Sequence, residues 1–164
     1  MTGEHFAADI RELIRLFHLH RVRYLLVGGE AVIHHGYPRL TGDVDFFYEA
    51  TPTNVRRLHA ALSEFWGGAV PAVASAAELL EPDVVVQFGR PPNRVDLINR
   101  LGTVRFAKAY ARRERETLRA RTGDVPLPVI GLADLIRSKR DAGRHKDLDD
   151  VEHLAPRSRR ARKR

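Results

Sequence analysis

Apolar residues over positions 4–20 fall at Phe6, Ile10, Leu13, Ile14, Phe17 and Leu19, mostly three or four apart, which predicts an amphipathic helix packed on a sheet. The apolar run within 23–27 predicts a short buried strand. Gly28-Gly29 follows it and opens a helix over 30–36, then a loop through Pro38 and Gly42 leads to a strand at 43–48. Thr51 and Pro52 mark the start of a third helix, with Val55, Leu58, Leu62 and Phe65 along one side and Gly67-Gly68 ending it. The alanine-rich stretch 69–82 fits either state. Residues 84–88 and 94–98 predict a hairpin around a turn containing Gly89, Pro91, Pro92 and Asn93. Residues 103–122 read as helical at first and less regular later. Residues 125–130 predict an edge strand, because Pro126 and Pro128 cannot donate ladder hydrogen bonds. Two helices close the chain, 132–142 stopped by Gly143 and 146–154 stopped by Pro156. This order predicts an α/β (α+β) fold: a mixed β-sheet with flanking helices.

Composition adds bounds. With 164 residues and 43% hydrophobic residues, the chain fits one soluble domain, expected over 1–156. No run approaches the ~20 apolar residues of a membrane span, and the N-terminus lacks the basic-then-apolar order of a signal peptide. A cytoplasmic protein without membrane contact is expected. The absence of cysteine removes thiolate metal sites and cysteine nucleophiles, so a metal must be held by oxygen or imidazole. The formal charge is +7, but six of the 28 basic residues lie in the last eight positions, and removing those six leaves +1 for residues 1–156. The positive field therefore belongs mainly to a tail, 157–164, whose composition predicts disorder. That tail suits a polyanion such as RNA. Equally, with only four lysines among the basic residues, it fits a general habit of arginine use.

The candidate chemistry lies in two short segments. Glycines between a strand and a helix let backbone N–H groups approach an anion, so Gly28 and Gly29 are candidate phosphate contacts. Asp43 and Asp45, two apart on a strand, share one face while Val44 turns to the other, and can share a metal. The pairs His18/His20 and His34/His35 are read as non-ligands, because neighbouring helical histidines diverge and no cysteine completes a zinc site. Phe46 and Tyr48 lie with Val44, opposite Asp45, and are read as core.

Together, residues 25–32, 36–45, 94–97, 135–139 and 143–150 resemble the DNA polymerase β-like nucleotidyltransferase superfamily, most closely its small bacterial branch of AbiEii-type and related minimal proteins. The resemblance spans residues 25 to 150 and implies the polymerase β-like nucleotidyltransferase fold. It implies that Asp43, Asp45 and Asp96 are the catalytic carboxylates holding Mg²⁺ (or Mn²⁺), two cations ~3.5–4 Å apart bridging nucleophile and phosphate oxygens. It further implies NTP binding, ATP included, with Gly28, Gly29, Arg39, Thr41 and Lys139 near the nucleotide. Lys146 matches a further basic position, and Asp147 and Asp150 an acidic pair on the last helix. One position departs from the pattern: Glu30 stands where many members carry a small hydroxyl residue, and a carboxylate there disfavours a nearby polyanion.

The expected function is Mg-dependent transfer of an NMP from an NTP to a hydroxyl acceptor: tRNA, protein or a small molecule such as an aminoglycoside. Asp96 would also accept the hydroxyl proton. The resemblance adds a toxin–antitoxin or phage-defence setting with a cognate partner. Two other readings stand beside it: a non-catalytic or weakly catalytic partner-binding module of the same fold, which Glu30 and the short length favour, and a metal-dependent phosphodiesterase using water as nucleophile.

Overall fold

The computed structural model describes residues 6–119 and 123–161. Along the chain come α1 (Ala8–Leu19), β1 (Tyr24–Val27), α2 (Gly28–His34), β2 (Asp43–Tyr48), α3 (Pro52–Phe65), a 3₁₀ turn (Ala76–Leu80), β3 (Val85–Phe88), β4 (Arg94–Ile98), α4 (Phe106–Ala111), β5 (Glu114–Leu118), β6 (Val125–Val129), α5 (Leu132–Ala142) and α6 (His145–Ala161). The strands form one mixed sheet in the order β3-β4-β2-β1-β6-β5, flanked by helices as expected. β2 runs antiparallel to β1 and parallel to β4, which is antiparallel to β3.

The period of two along β2 divides the molecule. Phe46 meets Phe17 of α1 and Tyr24 of β1 edge-on, at centroid separations of 5.5 and 5.4 Å, and the Tyr48 hydroxyl donates to Leu79 O at 2.9 Å. That face, under α1 and α3, is apolar. Phe47 points to the other face and packs against Phe106 of α4. Asp43 and Asp45 share that second face. α3 starts where its cap predicts, with Asn54 N–H donating to Thr51 Oγ1 at 3.3 Å. α5 ends at Gly143, whose φ of 64° suits glycine in the left-handed region.

Four expectations are corrected. Helix α2 begins at Gly28 itself rather than at residue 30. β6 is interior, between β1 and β5, not an edge. Pro126 and Pro128 are two apart, so both missing N–H groups face β1, and β6 meets β1 only near its end, where Leu26 pairs with Val129 and Ile130 N–H donates to Leu26 O at 3.0 Å. Residues 125, 127 and 129 remain to serve β5, in register from Glu114↔Val129 to Leu118↔Val125. β5 itself is a strand that the pattern hides: as the sheet edge it is mostly polar and exposed, burying only Leu118. Finally, α6 runs through Pro156 to Ala161. Pro156 withdraws one N–H donor from the carbonyl of Glu152, an exposed residue, where water can replace it. Residues 157–161 of the expected tail thus lie in α6, and 162–164 fall outside the described residues. No helix among the described residues is long and apolar enough to cross a membrane.

Candidate active site

Parallel pairing of β2 with β4 sets Asp43 opposite Arg94 and Asp45 opposite Asp96. All four side chains therefore rise from one face, and Asp43, Asp45 and Asp96 each place a carboxylate oxygen within 4.8 Å of the others. Three anions this close repel. Arg94 relieves most of that repulsion: its Nη2 donates to Asp43 Oδ2 at 2.6 Å and to Asp96 Oδ2 at 3.1 Å, and its Nε to Asp96 Oδ1 at 2.9 Å. Gln87 Nε2 from β3 adds a bond to Asp96 Oδ2 at 3.0 Å, and Thr41 Oγ1 donates to Asp43 Oδ1 at 3.1 Å. Asp45 alone of the three has no hydrogen-bond or ion-pair partner among the described residues. Burial, reinforced by Asp43 and Asp96 and opposed by Lys139 and Lys146, pushes its carboxyl up to about 6.

The glycines explain how these carboxylates reach the turn before α2. Gly28 has φ 65°, and a Cβ there would overlap the Asp45 carboxylate, while a Cβ at Gly29 would strike the Thr41 side chain. The turn thus packs directly against one carboxylate and against the hydroxyl that orients another. Gly28→Ala is expected to displace Asp45 and, with ~1–2 kcal/mol of left-handed strain, to weaken Mn²⁺ binding by at least ~10-fold, about 1.4 kcal/mol. Titration followed by electron paramagnetic resonance of free Mn²⁺ checks this, and an unchanged affinity would show that the close approach is incidental.

A cleft of about 500 Å³ opens over the cluster, lined by the Gly28-Gly29 turn, the loop of Arg39 to Gly42, and the facing ends of α5 and α6. Its lining carries five basic and four acidic residues, a balance that admits an anion accompanied by cations. Of the residues expected near a nucleotide, Gly28, Gly29 and Thr41 border the carboxylates directly. Arg39 and Lys139 line the cleft, but their donors are engaged. The Arg39 fork grips Asp150 through Nε at 2.7 Å and Nη2 at 3.0 Å, and Lys139 Nζ lies 2.8 Å from Asp150 Oδ2 and 3.1 Å from Asp147 Oδ1. Arg144 completes the network on Asp147 at 2.6 Å and, with Lys139, holds that carboxyl below the usual range against the opposing effect of burial. Lys146 lines the same cleft with no ion pair or hydrogen bond among the described residues, and is the cation left available for a phosphate.

Gln87 escapes the motif reading, and Arg94, inside the motif segment 94–97, is given no role by it. The signal for Arg94 is its place two residues before Asp96 on one strand; for Gln87 it is the hairpin register, Gln87↔Asp96. The histidine reading also changes: His34 and His35 do not diverge but both approach Glu114 of β5. His35 keeps the helical bond from its N–H to Ala31 O at 3.0 Å, yet the two rings meet edge-on with centroids 5.0 Å apart.

Helices flanking a six-stranded mixed sheet fit a nucleotidyltransferase-like fold. The chain belongs to the family described as "Nucleotidyltransferase of unknown function (DUF6036)", whose model matches residues 5–155. No match is found among curated proteins.

Proposed function

We propose that the protein is a divalent-cation-dependent nucleotidyltransferase that moves a nucleoside monophosphate from an NTP to a hydroxyl acceptor. The acceptor oxygen bonds the α-phosphorus, the bond to the bridging oxygen breaks, pyrophosphate leaves, and the hydroxyl proton passes to a carboxylate. The observation that carries this reading is the convergence of Asp43, Asp45 and Asp96 beside the glycine turn, with one guanidinium standing among them and Asp45 left uncompensated. Hard carboxylate oxygens fit Mg²⁺ or Mn²⁺, so these three residues would hold the cation, which supplies neutralisation of nucleophile and phosphate oxygens together.

The other roles follow from strand order. Asp45 abuts Gly28, so the phosphates belong on the β1–α2 side, with Lys146 across the cleft. Asp96 lies one strand further out, beside Gln87, on the side left for the acceptor, and there it takes the hydroxyl proton. Thr41 fixes the Asp43 carboxylate. Arg39 and Lys139 act through charge and through the loop and helices they hold, rather than as open forks on phosphate. A tRNA, protein or small-molecule acceptor, the AbiEii-type branch and a toxin–antitoxin or phage-defence role are proposals that rest on the resemblance of residues 25–32, 36–45, 94–97, 135–139 and 143–150, and a cytoplasmic setting is one that rests on the hydropathy of the chain.

One observation favours a second reading. Arg94 already supplies a cation between Asp43 and Asp96, as a catalytically silent binding module would require. Incubation with each α-labelled NTP, Mg²⁺ or Mn²⁺, and total tRNA or cell lysate separates the two. Label transferred to an acceptor supports the transferase. No labelled product with any nucleotide, together with no Mn²⁺ binding, supports the silent module, and nucleic-acid cleavage without label transfer supports a phosphodiesterase.

A further inference from the structure

We propose that His34, His35 and Glu114 form a second metal site, apart from the aspartate cluster, that takes a borderline divalent cation of the zinc type. His34 ends α2, His35 follows it, and Glu114 begins β5. His34 Nε2 lies 2.8 Å from Glu114 Oε2, and His35 Nδ1 lies 3.7 Å from Glu114 Oε1. One ligand atom from each residue sits within 4.8 Å of the other two.

The orientation of His35 gives the arrangement its direction. Its Nε2 lies 2.8 Å from the carbonyl oxygen of Ile130, which can only accept, so Nε2 carries the proton. In the neutral ring Nδ1 then presents a lone pair, and it presents it towards a carboxylate oxygen. Two acceptors thus lie 3.7 Å apart with no hydrogen to share, and a cation between them would satisfy both. A backbone carbonyl on the remote nitrogen is also how metal-bound histidines are commonly oriented. The imidazoles are held in place, with side chains 12% and 5% exposed and ring centroids 5.0 Å apart. Glu114 is 47% exposed, which leaves one adjustable ligand and a route from solvent. Tetrahedral bonds of ~2.0–2.1 Å bring donors to about 3.4 Å from each other; rotation of Glu114 adjusts its two separations, and the imidazole donors, within 4.8 Å of each other, close by a shift of the rings.

Two imidazoles and one carboxylate without sulfur select zinc or its transition-metal neighbours over Mg²⁺, with water in the remaining position. Bound there, the ion would tie the sheet-edge strand β5 to the far end of the helix whose first residues pack against Asp45 and Thr41. The site would therefore brace the active-site turn rather than take part in chemistry.

The test uses the untagged full chain, Zn²⁺ alone, a competing chromophoric chelator, and thermal unfolding with and without the ion. The expected result is one equivalent of Zn²⁺ that raises Tm, retained in Asp45→Asn, and weakened in Glu114→Gln and in His34→Asn by more than the ~10–100-fold that loss of an outer partner costs. Glu114→Gln alters an exposed side chain, so its circular dichroism should match the parent, and the loss then reads as loss of a ligand. Zinc affinity unchanged in both variants, zinc lost only in Asp45→Asn, or no zinc bound by the parent chain at micromolar concentrations would each overturn the proposal. In the last case the cluster is a histidine–carboxylate hydrogen bond, His34 Nε2 to Glu114 Oε2.

Discussion

Asp45→Asn is expected to remove nucleotidyl transfer, by at least ~10³-fold or ~4 kcal/mol of barrier, while making the cation-free protein more stable at neutral pH. Both effects come from one feature: Asp45 is the carboxylate of the three that receives no compensating bond. Burial, with Asp43 and Asp96 beside it, pushes its carboxyl up to about 6 from an ordinary 3.8. The folded state thus holds this proton more tightly than the unfolded state does. Its favourable contribution is full below pH ~4 and is lost as pH rises towards 6; above that, the ionised side chain costs roughly 3 kcal/mol. Asparagine carries no such charge, so the variant should unfold at a higher temperature than the parent at pH 7.5 in EDTA and at a similar temperature at pH 4. Saturating Mn²⁺ should reverse the order at pH 7.5, because the cation stabilises only the chain that binds it. Asp43→Asn should show no comparable gain, since it loses a charged partner on Arg94. An Asp45→Asn protein that still transfers label would sink the mechanism, and one no more stable than the parent in EDTA would sink this account of the metal-free site.

The elements that could be read from the chain are those whose side chains alternate in chemistry as well as in direction. β2 is one, with Asp43 and Asp45 on one face and Val44 and Phe46 on the other; α1 and α3 are others, with their apolar stripes. β5 could not be read this way. An edge strand exposes both faces and one row of backbone groups, so its sequence has little reason to alternate. The interior place of β6 is hidden for a related reason: the prolines show that N–H donors are missing but not which neighbour does without them. In the site, the spacing of Asp43 and Asp45 and the order of later motifs were enough to anticipate three converging carboxylates. The sequence does not specify which cation faces which anion, because β2–β4 pairing brings Arg94 to Asp43, and the docking of the α2–β2 loop on α6 brings Arg39 to Asp150, across 51 and 111 residues. Arg39 therefore reads as a phosphate fork in the chain, and in the fold its fork holds Asp150 at the edge of the cleft.

Asp150→Ala should be the most damaging single change to stability. Asp150 and Asp147 are fully buried, and Asp150 accepts both the Arg39 fork and Lys139, whose own side chain is only 7% exposed. Deleting that carboxylate leaves the Arg39 guanidinium without its acceptor and the buried Lys139 sharing Asp147 with Arg144. Breaking a buried pair from one side costs about 3–5 kcal/mol, which for a chain of this size lowers Tm by roughly 10 °C. Asp149→Ala, removing a half-exposed carboxylate that accepts from Tyr37, should cost no more than about 1 kcal/mol. Replacing both partners, Lys139→Met with Asp150→Leu, should recover most of the loss, since Asp147 keeps Arg144 and Arg39 can turn to water. That recovery should not extend to transfer. With Asp150 gone, Arg39 no longer fastens its loop to α6, and the same loop carries Thr41, which orients the Asp43 carboxylate and lies against Gly29. A stable double variant with full activity would show that the α5–α6 network only supports the fold, whereas a stable variant with weakened Mn²⁺ binding would tie that network to the cluster. An Asp150→Ala protein melting within about 2 °C of the parent, under 1 kcal/mol, would mean the two buried aspartates are not the anchor that their burial and partners indicate.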